Sequence, residues 1–161
     1  CAAQVCISAA DGSAQHSVAA PSAVRAMAFS PDGLTLAVGY ANGVSRWAVQ
    51  AVDHHPVETS FTGTPTRLDW HPGGTWLTAS MAVDGFHLID IARNHSTPRG
   101  NFPSAVHSAI FGLTTNTVVA SGAFRVAAWD LADGQAVLAT TCHHNWANWY
   151  PIKAWISVVP Y

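Results

Sequence analysis

Short apolar runs alternate with turn residues along this chain, and the alternation recurs. Between Ala23 and Trp47, the apolar Val24, Met27 and Phe29 lead into Ser30-Pro31-Asp32-Gly33. Leu34, Leu36 and Val38 follow, and Ala41-Asn42-Gly43 parts them from a run around Trp47. Apolar residues at every second position are a strand pattern. The Pro and Gly between the runs provide the fixed and permissive φ that tight hairpins require. At a shift of 41, Phe29 falls on Trp70, Pro31 on Pro72, Gly33 on Gly74 and Leu36 on Leu77. At 82, Val24 falls on Val106, Phe29 on Phe111 and Trp47 on Trp129; at 120, Phe29 falls on Trp149, Pro31 on Pro151 and Val38 on Val158. Repeats of about 40 residues made of short strands and turns predict an all-β fold of four-stranded antiparallel β-propeller blades, about four blades' worth.

The phase of the repeat sets the expected organisation. Val5–Gly12 matches Ala127–Gly134 at a shift of 122, so the N-terminal residues 1–22 read as strands c and d of a blade. Complete blades are expected over 23–63, 64–105 and 106–141, the second with a short fourth strand around Pro98. Residues 142–161 read as strands a and b. The ends are thus complementary halves of one blade. Unpaired strand edges are a liability that closure removes. Two arrangements achieve it: a homodimer in which each copy completes the other's split blade in one eight-bladed ring, or the remainder of a longer chain.

Phe29-Ser30-Pro31-Asp32-Gly33, Leu34–Gly39 and Trp129-Asp130-Leu131 resemble the WD40 repeat, and the run from Val24 to Trp47 is similar to bacterial WD40 proteins. The resemblance covers nearly the whole chain. It departs at Trp47-Ala48 and Ile89-Asp90, where the closing dipeptide is incomplete, and no blade carries the Gly-His pair before strand a. The His-centred hydrogen-bond set of the family is therefore not expected, and apolar packing is. The resemblance implies a rigid, non-enzymatic scaffold that presents loops to protein partners. Its upper face, built from the b–c and d–a loops, would hold Tyr40, Asn42, Met81, Asp84, Phe124 and Arg125. Tyr40, Met81 and Phe124, in turns, are of the type that anchors interfaces, although each can equally pack on a neighbouring blade.

Composition narrows the alternatives. The sequence is 49% hydrophobic and 10% charged, with a net charge of −2, against about 25% charged residues in an average domain. A chain so poor in charge is expected to have faces covered by something else. Seven scattered Lys and Arg residues form no basic stripe, so neither nucleic acid nor an anionic membrane is an expected partner. No apolar run reaches the length of a membrane-spanning helix. The compartment is left open, with the cytoplasm favoured. Cys1, Cys6 and Cys142 have no C-x-x-C spacing; buried Cys6 and Cys142 thiols and a Cys6–Cys142 bridge are the two readings.

Of nine histidines, only His54-His55 and His143-His144 are adjacent, and neighbours on a strand point to opposite faces. No metal site or cofactor is expected. Asp11, Asp32, Asp84 and Asp133 each precede Gly, where turn geometry explains them. Asp90 and Asp130 close the repeat and are likewise expected to be structural. No nucleophile elbow or phosphate loop is present. Two further classes remain open: a propeller that binds glycans or small ligands through aromatic residues in grooves between blades, and an enzyme with metal-bearing histidines at the channel.

Overall fold

The computed structural model describes residues 3–8, 11, 15–50, 55–99, 102, 105–112, 116–122, 125–132 and 136–141. Every regular element among them is a strand. A hairpin comes first, β1 (Ala3–Ser8) with β2 (Gln15–Ala20). Blade one follows as β3 (Ala26–Phe29), β4 (Thr35–Tyr40), β5 (Gly43–Ala48) and β6 (Val57–Ser60). Blade two comprises β7 (Pro65–Trp70), β8 (Trp76–Met81), β9 (Phe86–Asp90) and β10 (His95–Arg99). Blade three comprises β11 (Val106–Phe111), β12 (Thr117–Gly122), β13 (Arg125–Asp130) and β14 (Ala136–Thr141). Each blade is an antiparallel meander in which sequence neighbours pair. The segment 142–161, expected to hold strands a and b, lies outside the described residues. Pro98 does not shorten β10, which has five residues against four in β6. An outer strand tolerates the missing N–H because one edge need not pair.

The recurrent a–b turn shows why the repeat is visible in the sequence. Ser30 N–H donates to the Thr35 carbonyl and Gly33 N–H to the Ser30 carbonyl, both at 2.8 Å. The Asp32 carboxylate accepts from Leu34 N–H at 3.0 Å and from the Ser30 hydroxyl, and these bonds hold its pKa below the usual carboxylate value. Gly33, at φ 72°, provides the left-handed residue. Blade two repeats the turn with His71 N–H to Trp76, Gly74 N–H to His71, and Gly74 at φ 70°. In the b–c turn the left-handed residue is Asn42 (φ 69°) and not Gly43. Gly43 is needed for space, since a Cβ there would stand 2.9 Å from the Thr59 carbonyl oxygen.

Three apolar clusters lie between successive sheets. Val5, Ile7 and Val18 of the hairpin pack on Leu36, Val38 and Trp47. Ala37 and Val44 of blade one meet Leu68, Trp70, Leu77 and Ile89 of blade two. Phe86 and Leu88 meet Val106, Phe111 and Val118 of blade three. Strands β4 and β8 are buried from their second residue onward, which accounts for their nearly continuous small and apolar residues. Apolar packing is supplemented by indole hydrogen bonds: Trp70 Nε1–H donates to the Ala28 carbonyl of the preceding blade, and Trp47 Nε1–H to the Ser45 hydroxyl.

A polar buckle joins blades one and two at the end carrying the a–b turns. The buried Arg46 donates through Nη2 to Asn94 Oδ1 at 2.6 Å and through Nη1 to the Ile91 carbonyl at 3.3 Å. Asn94 Oδ1 also accepts the Thr59 hydroxyl at 2.5 Å, while its amide donates to the Glu58 carbonyl. Asn94 holds a left-handed φ of 50° in the β9–β10 turn, a conformation that Asn tolerates better than most residues. Asp90 and Asp130 are turn acceptors, as expected: Asp90 takes the N–H and guanidinium of Arg93, and Asp130 the N–H of Ala132.

Candidate functional site

The b–c and d–a connections of blades one and two meet at the opposite end. Asn42 ties them together: its N–H donates to the Gly63 carbonyl at 2.7 Å, and its Oδ1 accepts the Gly63 N–H at 3.0 Å. Phe61 N–H donates back to the Asn42 carbonyl, and Ala82 N–H to the Thr64 carbonyl. Gly63, at φ 108°, lies so close to Met81 that a Cβ would stand 2.8 Å from its Cε. These bonds make the loop end a fixed surface, because both partners in each contact are anchored by strands.

Between the two blades this end opens into a cleft of about 580 Å³, bordered by Phe61, Met81, Val83, Asp84, His87 and Ser96. The Phe61 and His87 rings stack at 4.5 Å with 20° between their planes. His87 Nδ1 is hydrogen-bonded to the Ser96 hydroxyl at 2.8 Å. Burial lowers the imidazole pKa, since desolvation disfavours the charged form. Val83 is 63% exposed beside Asp84, which holds φ 63° at the head of the β8–β9 turn. The cleft therefore offers an aromatic wall, an exposed aliphatic side chain and one carboxylate.

The expected site residues divide. Asn42, Met81 and Asp84 come to this rim. Tyr40 and Met81 are not in turns: they end β4 and β8 and are buried. Tyr40 is folded beneath the b–c turn, its hydroxyl 3.2 Å from where a Cβ on Gly43 would be. Its burial and the Glu58 charge raise the phenol pKa. Arg125 begins β13 of blade three, away from this cleft, and Phe124 lies outside the described residues. Phe61, Val83, His87 and Ser96 were missed. A signal existed for His87, a polar residue set between the apolar Phe86 and Leu88, but its partner Phe61 belongs to the d–a connection, which the repeat pattern leaves irregular.

Among the described residues, no three His, Cys, Asp or Glu side chains gather as metal ligands. Cys6 is a free, exposed thiol and not a buried one; Cys1 and Cys142, like His54, His143 and His144, lie outside the described residues.

No family model matches the sequence, and neither does any curated protein. Solved structures do match. The WD40 repeats of RRP9 superpose with a TM-score of 0.65 at 13% identity, over 75% of this chain and 39% of theirs. This is a WD40-like β-propeller fold. U3-55K matches with a TM-score of 0.65 at 12% identity, over 75% of this chain and 40% of that one. Hydrazine synthase from Kuenenia stuttgartiensis matches with a TM-score of 0.70 at 20% identity, over 87% of this chain and 43% of its own. The chain spans about 40% of the length of the structures it matches. At these identities the WD40-like likeness concerns fold, and function must be argued from the cleft.

Proposed function

We propose that this WD40-like chain is a non-enzymatic interaction scaffold that grips a protein segment in the loop-end cleft between blades one and two. The observation that carries this reading is the exposed Val83 beside Asp84 at the mouth of a cleft walled by the Phe61–His87 stack. An apolar surface with one carboxylate suits an aliphatic or aromatic side chain flanked by a basic residue. The hydrogen bonds of Asn42 with Gly63 keep the rim in place before binding, which reduces the ordering cost of association.

The test is selection from a displayed peptide library on the purified protein. Peptides with an apolar residue beside Lys or Arg are expected. Val83→Asp should weaken them at least about tenfold, given the ~1.5 kcal/mol or more that burying an aliphatic side chain contributes. Asp84→Asn, which suits the left-handed backbone, should cost less and reduce the salt dependence. Failure to enrich any peptide, or binding indifferent to Val83→Asp, refutes the proposal. A glycan ligand lost with Val83→Asp would replace the scaffold reading with the lectin-like one.

A further inference from the structure

Equivalent positions on strand c of the three blades carry unlike residues. Ala37 pairs with Arg46 in blade one, and its counterparts at shifts of 41 and 82, Thr78 and Val119, pair with Leu88 and Ala128. Leu88 belongs to the apolar cluster between blades two and three. Arg46 is buried almost as deeply, at 7% exposure against 4%. The repeat itself thus shows that an apolar or small residue serves a blade at this position. A buried cation is a costly substitute, and exchanging buried charge for well-packed hydrophobic residues is often neutral or stabilising. The packing of the blade therefore does not account for the charge on Arg46.

Nor do its neighbours neutralise it. Arg46 donates to two uncharged acceptors, Asn94 Oδ1 and the Ile91 carbonyl, and its Nε is buried with no hydrogen-bond partner. Among the described residues no carboxylate stands within salt-bridge distance of it. A guanidinium stays protonated in proteins, so the charge remains and only neutral groups answer it.

The surroundings indicate what would. Arg46 borders a cavity of about 490 Å³ between blades one and two, at the end that carries the a–b turns and so opposite the loop-end cleft. Trp70, Val57 and Ile91 give it apolar walls, and Val57 is 50% exposed. The Trp70 indole N–H is already committed to the Ala28 carbonyl. Small-molecule sites have this size and make-up, mostly apolar with a few polar groups that fix orientation. Asp32 also borders the cavity. Its carboxylate serves its own turn, accepting from Leu34 N–H and the Ser30 hydroxyl. Its charge repels a doubly charged ligand more than a singly charged one.

We propose that this cavity is a binding site, independent of the loop-end cleft, for a small monocarboxylate with an apolar body. The carboxylate answers the charge of Arg46, and the body lies against Trp70, Val57 and Ile91. Asn94 and the Ile91 carbonyl already hold the guanidinium in place, so little further ordering is needed on binding. Scattered Lys and Arg residues form no basic stripe in the sequence, but one guanidinium withdrawn from water attracts an anion more strongly than an exposed one does.

The experiment titrates the full 161-residue chain, labelled with nitrogen-15, with sodium benzoate at constant ionic strength, and with benzamide as the uncharged isostere. Benzoate should give saturable shifts at the Asn94 side-chain amide and the Trp70 indole. Benzamide should bind at least about tenfold more weakly, the margin of one hydrogen bond to a charged group. Arg46→Met should erase that preference while keeping the dispersed spectrum of a folded chain. Asp32→Asn, in an exposed turn, should tighten benzoate about threefold and leave benzamide unchanged, a gain that no loss of folding produces. Absence of saturable benzoate shifts overturns the proposal, as does equal binding of benzoate and benzamide. A preference that survives Arg46→Met, or an Asp32→Asn protein that binds benzoate no more tightly, overturns it as well. Shifts confined to Phe61 and His87 would put the anion in the loop-end cleft and refute this site.

Discussion

The Arg46–Asn94 buckle offers a quantitative test of how the blades cohere. Arg46 is buried with one strong acceptor, Asn94 Oδ1 at 2.6 Å, a longer bond to the Ile91 carbonyl, and no partner at Nε. Burial disfavours its charge, so the buckle matters chiefly by keeping that charge satisfied. Asn94→Gly retains the left-handed backbone at φ 50° and removes the amide. A hydrogen bond to a charged group contributes about 1.5–3 kcal/mol, and the neutral bonds to Thr59 and Glu58 about 1 kcal/mol each. Asn94 lies at the surface, where water replaces part of this, so a net loss of about 2 kcal/mol is expected. Arg46→Met removes the cation together with its desolvation penalty and should change stability by less than about 1 kcal/mol. In the Arg46→Met background Asn94 no longer serves a charge, so Asn94→Gly costs less there, and the double variant should fall short of the summed single effects by at least about 1 kcal/mol. Urea denaturation followed by tryptophan fluorescence at one protein concentration measures all four proteins. Additivity within about 0.5 kcal/mol would refute the reasoning, because independent sites add to that accuracy.

Two further outcomes follow from local geometry. Gly43→Ala puts a Cβ 2.9 Å from a backbone oxygen that cannot swing away, so it should cost about 1–3 kcal/mol; Gly33→Ala meets nothing within 4 Å and should lose only the ~1 kcal/mol of a left-handed alanine. Urea midpoints in the reverse order would show that backbone conformation outweighs the close approach. His87, its pKa lowered by burial in the folded state, takes up a proton more readily when unfolded. Its contribution is intact above the unfolded value of about 6.5 and is lost as pH falls below it. The urea midpoint of the natural protein should therefore drop more between pH 7.5 and 5.5 than that of His87→Asn, the other histidines being common to both; equal drops would remove His87 as the cause.

The blades were legible because their turns are local. Ser30, Asp32 and Gly33 bond within five residues of one another, and the same chemistry returns at His71 and Gly74, so short-range sequence carries it. Strand alternation likewise reports a two-residue period that needs no distant partner. The loop-end rim was legible in part, since Asn42 and Asp84 lie in predicted turns. The cleft was not: Phe61 and His87 are 26 positions apart, and only the packing of one blade on the next stacks their rings.

Burial, too, was decided between sheets. Tyr40 and Met81 look like turn residues in the sequence but end buried strands, because the neighbouring loops fold over them. Arg46 is buried on β5, and its acceptor Asn94 lies 48 residues later in the chain. Met27 and Phe29 share the periodicity of Leu68 and Trp70, yet one pair is open and the other closed. Periodicity determines which face of a strand is apolar; whether that face is covered depends on the sheet placed beside it, which is a property of the assembled blades alone.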